Sequence, residues 1–140
     1  MTMKELIENI LTKSSTIAVY GMSTDPDKPA HSVPVFLLSK GYTIMPINPH
    51  AEVIAGCTCY SNLNDVEEKI DVLDVFRPSD QVLNVVKEAV NRKTEKGDIA
   101  VIWLQLGIQN EEARKLAEGE NITFIENRCM KMEYLRLTSM

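Results

Sequence analysis

Gly21, Ser23 and Lys28 stand close together just after an apolar run, Thr16-Ile17-Ala18-Val19-Tyr20, and this grouping suits a bound anion. A backbone that approaches a diphosphate cannot carry a bulky side chain at the contact, and it needs amide donors aimed at the oxygens. Gly21 meets the first need, and the turn through Ser23 and Thr24 is expected to meet the second. The Ser23 hydroxyl adds a donor and Lys28 a point charge, while His31 and Ser32 fall where a helix should begin, near its positive end. Gly21→Val is accordingly expected to block the ligand and spare the fold.

Further along, Arg77 follows a second apolar run and presents a planar guanidinium suited to phosphate or carboxylate. The plainer alternative is an ion pair with a neighbouring acid. Cys129 follows Arg128 near the expected start of a helix, a setting that favours a reactive thiol, and beside a thiol ligand it could form a mixed disulfide. The alternative is a small buried hydrophobe. His31 has no serine or cysteine nucleophile placed beside it by any motif, so a ligand contact or helix cap is expected before general-base work. Cys57 and Cys59, with only His31 and His50 to join them, make no four-ligand zinc pattern, and no metal is expected.

The elements that must position these residues alternate. Leu6, Ile7, Ile10 and Leu11 recur at helical spacing and predict an opening helix to about Lys13. Thr16 to Tyr20 reads as a buried first strand. Val33 to Leu38 predicts a helix stopped by Lys40-Gly41, with Pro34 in its first turn. Tyr42 to Ile47 predicts strand two, ended by Asn48-Pro49, with Pro46 expected where ladder pairing is finishing. Asp71 to Phe76 supplies strand three, and Val82, Val85, Val86, Ala89 and Val90 share one helical face. Ile99 to Leu104 gives strand four, with Trp103 in the core and its indole N–H in need of a partner. A polar helix from about Asn110 to Glu118, strand five from Ile122 to Ile125, and a last helix from Cys129 to Leu137 complete the order. Such alternation implies a doubly wound, Rossmann-like α/β fold: a parallel sheet of about five strands with helices on both faces and ligands outside the strands' carboxyl ends. Those ends are Gly21-Met22-Ser23, Ile47-Asn48-Pro49, Phe76-Arg77-Pro78 and Leu104-Gln105-Leu106-Gly107.

Size and charge narrow the function. With 140 residues, 44% hydrophobic and 25% charged, the chain is expected to form one domain over residues 1–140. A net charge of −5 opposes a broad nucleic-acid footprint. The N-terminal stretch mixes Lys4, Glu5 and Glu8 into its apolar residues, unlike a signal peptide, and no later run reaches the length of a membrane span, so a cytoplasmic protein without membrane partners is expected. Three cysteines, an odd number, suit a reduced compartment. The three-glycine dinucleotide fingerprint is absent, because Pro26 and Pro29 occupy the loop, and strand two ends without the acid that holds a nicotinamide dinucleotide's ribose.

The ordered blocks Ala18-Val19-Tyr20-Gly21-Met22-Ser23, Lys28-Pro29-Ala30-His31, Gly41 to Pro49, Asp71 to Arg77, Trp103 to Gly107 and Asn127-Arg128-Cys129-Met130-Lys131 resemble the stand-alone CoA-binding domain family. That family is related to the nucleotide-binding domain of the succinyl-CoA synthetase alpha subunit, and the resemblance runs from about Thr16 to Leu137. It implies CoA as the ligand, with its diphosphate at Gly21, Met22 and Ser23 and a phosphate near Lys28, with His31 alongside. It further implies adenine and ribose near Ile47, Asn48, Pro49, Phe76 and Arg77, and the pantetheine arm along Leu104, Gln105, Leu106 and Gly107. Two positions depart from the pattern: Pro34, where the family continues an ordinary helix, and Asn127, where an aspartate is common. An amide at 127 does not titrate usefully, which argues against acid–base chemistry there. The expected function is CoA or acyl-CoA binding in a regulatory or carrier role, since the domain that carries phosphohistidine chemistry in the synthetase has no room here. The alternatives are a component of an acyl-CoA- or nicotinamide-dependent enzyme and a ligand-free interaction module, and a protein partner or homo-oligomer fits each.

Overall fold

The computed structural model describes residues 1–139. Helix α1 (Met3–Lys13) opens with a reciprocal cap in which the Thr2 hydroxyl accepts from Glu5 N–H and the Glu5 carboxylate accepts from Thr2 N–H. Strand β1 (Thr16–Tyr20), helix α2 (Pro29–Ser39) and strand β2 (Thr43–Ile47) follow. A two-stranded antiparallel ribbon, β3 (Val53–Ile54) and β4 (Cys57–Thr58), and a short 3₁₀ turn over Leu63–Asp65 lead to β5 (Val72–Val75). After a second 3₁₀ turn over Ser79–Gln81 come α3 (Val82–Lys96), β6 (Val101–Leu104), α4 (Glu111–Gly119), β7 (Thr123–Ile125) and α5 (Met130–Thr138).

The five long strands form one parallel sheet in the order β2-β1-β5-β6-β7. Strand alternation sends Ala18, Leu73, Ile102 and Phe124 to one face, where they meet Val82, Val85, Val86 and Ala89 of α3 and Ala113 and Ala117 of α4. Ile17, Val19, Val72 and Trp103 point to the other face, against Ile7, Ile10 and Leu11 of α1, Val33 and Leu37 of α2, and Met130 of α5. The sheet is therefore wound on both sides as expected, and the chain's course reverses between β1 and β5. Trp103 is fully buried and its indole Nε1 donates to the Arg128 carbonyl at 2.8 Å.

Two expectations about proline need correction. Helix α2 begins at Pro29, a favoured first-turn position, so Pro34 lies inside the helix and not in its first turn. Pro46 does not mark the end of pairing: it is matched to Val19 within the β1–β2 ladder, which continues to Tyr20 and Ile47. It is tolerated because β2 is an edge strand. Thr43 N–H and the Ile47 carbonyl bond towards β1, whereas the Pro46 carbonyl faces outward and accepts from Tyr60 N–H at 2.8 Å. The missing N–H of Pro46 thus costs no bond to β1. No helix among the described residues is long and apolar enough to cross a membrane.

Candidate functional site

The reversal between β1 and β5 opens a crevice at the carboxyl end of the sheet, where ligands of such folds bind. At its floor the chain leaves β1 through Gly21 with φ of +90°. A Cβ at this position would stand 2.8 Å from the Phe76 carbonyl oxygen and 2.9 Å from Arg77 Cδ. Glycine is thus demanded by its own backbone conformation and by the passage of the β5 end across it. The expectation that Gly21→Val would spare the fold is corrected accordingly.

The loop after Gly21 is clamped from three sides. Ser23 N–H donates to the Ala30 carbonyl at 3.1 Å, and the Ser23 carbonyl accepts from His31 Nδ1 at 2.7 Å. Asn48 Nδ2 donates to the Met22 carbonyl at 3.0 Å, while its Oδ1 accepts from His50 N–H at 2.8 Å. The Ser23 hydroxyl accepts from Asp25 N–H at 3.0 Å. The Ser23 amide therefore serves the loop and is not the free donor expected of it. His31 sits behind this wall and does not line the cleft; its ring carries a proton on Nδ1 and braces the loop.

The resulting cleft has a volume of about 740 Å³ and gathers Gly21, Met22, Ser23, Lys28, Ile47, Asn48, Pro49 and Arg77 from the expected set. Lys28 is the residue before α2, so it borders the cleft at the positive end of that helix. Arg77 makes no ion pair among the described residues; its Nε donates to Gln81 Oε1 at 3.0 Å, leaving the guanidinium at the cleft rim. The cleft also holds residues that sequence reasoning missed: Tyr20, Ala30, His50, Ser61, Asn62, Gln81, Asn84, Val85 and Glu88. Gln81, Asn84 and Glu88 recur at helical spacing beside the valine stripe of α3, a polar signal that was available in the sequence. Tyr20 hydroxyl donates to Glu88 Oε2 at 2.6 Å, and burial, reinforced by that carboxylate, pushes the phenol up to about 12.

A second, mostly apolar cavity of about 420 Å³ adjoins it, lined by Lys28, Pro29, Ala30, Val33, Phe76, Gln105, Leu106, Ile108 and Cys129. Lys28 and Ala30 border both spaces. Leu104 is in the core and Gly107 lines neither space; the Gly107 N–H donates to Asn127 Oδ1 at 2.7 Å. Asn127 has φ of +56°, a conformation asparagine tolerates better than most residues, and its work here is to clasp that loop. Cys129 is half-buried at the cap of α5. Behind the cavity Gln105 Nε2 donates to Asp74 Oδ1 at 2.6 Å, and Gln105 Oε1 accepts from Met130 N–H. Asp74 is fully buried, its Oδ2 has no partner, and burial pushes its carboxyl up to about 7. Among the described residues no three His, Cys, Asp or Glu side chains gather as a metal site requires.

A doubly wound sheet with a polar cleft and an apolar extension at its carboxyl edge defines a Rossmann-like ligand-binding domain, and comparison with known proteins specifies which. A family model described as a CoA binding domain matches residues 15–135, so the chain belongs to the CoA-binding domain family. It is 34% identical over 131 residues to the uncharacterized protein YneT of Bacillus subtilis, covering 94% of this chain and 93% of that protein. The ADP-forming acetate–CoA ligase of Methanocaldococcus jannaschii shares 28% identity over 119 residues, 82% of this chain but only 17% of the ligase. Among solved structures, cell-free ID.343 from Thermus thermophilus superposes with a TM-score of 0.89 at 33% identity, covering 98% of this chain and 99% of that one.

Proposed function

We propose that this chain binds coenzyme A across the carboxyl edge of the sheet, the phosphoadenosine end in the polar cleft and the pantetheine arm in the apolar cavity. One observation carries the reading: a polar space and an apolar space meet at Lys28 and Ala30, at the start of α2. CoA has the same sequence of parts, a polar nucleotide and a long arm joined through a diphosphate, and a helix start with a lysine is where a diphosphate is best held. Arg77 at the rim supplies a second cation for the phosphates. Val33, Phe76, Leu106 and Ile108 give the arm an apolar bed, with its thiol end directed towards Gln105 and Cys129.

The role proposed is binding, regulatory or carrier-like, in the cytoplasm. The ligase relative supports CoA as the ligand class; its whole reaction belongs to a protein of which this chain matches a small part. A nicotinamide dinucleotide fits less well, since Asn48 stands at the end of β2 with both side-chain atoms already engaged by Met22 and His50. Thermal melting of the pure protein in CoA, dephospho-CoA, acetyl-CoA and NAD tests the proposal. Saturation at about 100 times the dissociation constant adds about 2.7 kcal/mol, so CoA should raise the melting temperature by several degrees and NAD should not. No rise with CoA would overturn the assignment and leave the interaction-module alternative.

A further inference from the structure

A proline inside a helix removes the N–H that would bond the carbonyl four residues earlier, and its ring pushes that carbonyl aside. In α2 the proline is Pro34 and the carbonyl is that of Ala30. The Ala30 carbonyl, whose helical donor at position 34 is missing, accepts from Ser23 N–H at 3.1 Å. On the next residue, His31 Nδ1 donates to the Ser23 carbonyl at 2.7 Å. Both backbone groups of Ser23 are therefore held by the first turn of α2, and Ser23, Lys28 and Ala30 all line the cleft.

We infer that Pro34 is a positioning residue for the cleft: by denying the Ala30 carbonyl its helical donor, it reserves that carbonyl for Ser23 and sets the loop that faces the ligand's phosphates. This rests on the CoA reading for its ligand, but its structural half stands without one. Pro34 is buried and touches the cleft only through this exchange of partners.

The test restores the N–H in two ways, Pro34→Ala and Pro34→Val, the second keeping more of the buried volume should the first fail to fold. Amide hydrogen exchange is followed at Ser23, with Val19 in the sheet as internal reference, on the protein without ligand. Displacing Ser23 from the Ala30 carbonyl should speed Ser23 exchange relative to Val19 by about five-fold, the worth of a net bond of about 1 kcal/mol. CoA affinity, measured where both proteins are fully folded, should fall by a similar factor, whereas a helix-stability role alone would leave Ser23 exchange at its wild-type ratio. A carbonyl has two lone pairs and could accept both donors. In that event Ser23 protection stays unchanged in whichever variant folds, and the inference is overturned. Failure of the wild-type protein to bind CoA would sink the ligand assignment, while the exchange ratio would still decide the role of Pro34.

Discussion

Gln105 Nε2 lies 2.6 Å from Asp74 Oδ1, so a polar side chain lining the apolar cavity is tied to a carboxyl buried in the middle of the sheet. That carboxyl keeps its proton to about pH 7 because burial penalises the charge, although donation from Gln105 favours it. An unfolded Asp releases its proton near 3.8. Between these values the native state holds the extra proton, so stability falls as pH rises from about 4 to about 7 and is level above.

Asp74→Asn copies the neutral form at every pH. Its melting temperature should lose this part of the pH dependence, and at pH 8 it should exceed that of the wild type. The ceiling is about three units of about 1.4 kcal/mol each, or about 4 kcal/mol. Parallel melting curves of both proteins from pH 4 to 8 would contradict the assignment.

Arg92 is buried and pairs with Asp98 at 2.9 Å, while its Nη1 donates to the carbonyls of Leu63 and Val66, each at 2.8 Å. Asp98 Oδ2 in turn accepts from Ile70 N–H. The pair holds the segment that follows the cleft residues Ser61 and Asn62 to α3 and the turn after it. Arg92→Ala leaves a buried carboxylate alone and should cost about 3–5 kcal/mol, visible as a melting temperature lower by roughly 10 °C or more. Arg92→Lys should recover little, since an ammonium cannot match the fork. Full recovery by lysine would contradict this account.

Lys28 borders both the cleft and the apolar cavity, and in the proposed CoA pose it would meet the diphosphate rather than the ribose phosphate. Lys28→Ala should therefore weaken CoA and dephospho-CoA by the same factor, roughly three- to ten-fold at low salt and less at high salt. A loss confined to CoA would move Lys28 to the 3′-phosphate.

Leu106 lines the cavity yet is 70% exposed, so a charge there should leave folding intact. Leu106→Glu should weaken CoA and acetyl-CoA several-fold and leave adenosine 3′,5′-bisphosphate unaffected, since only the first two have the arm. Competition titrations with the three ligands check this. Equal weakening of all three would take the arm out of the cavity.

Much of this was legible in the residues. Buried parallel strands such as Thr16–Tyr20 and Val101–Leu104 stand out as short apolar runs, and the valines of α3 declare its inner face. What escaped is instructive. The β3–β4 ribbon has two residues per strand, too few for periodicity, and its turn uses Ala55 and Gly56 with positive φ, where sequence offers only the glycine. The start of α2 was hidden because Pro34 reads as a first-turn residue until the Ala30 carbonyl is seen to have another donor. In the cleft, the strand-end residues Gly21, Asn48, Pro49 and Arg77 were found because topology dictates where strands end. Ser61, Asn62 and the polar face of α3 reach the same space only through tertiary packing.

Calorimetric titration of the purified chain with CoA tests the central claim most directly. Saturable binding with one CoA per chain, weakened by Lys28→Ala and absent with NAD, is the predicted result. Heats no greater than dilution with CoA, from a chain whose melting shows it folded, would contradict it.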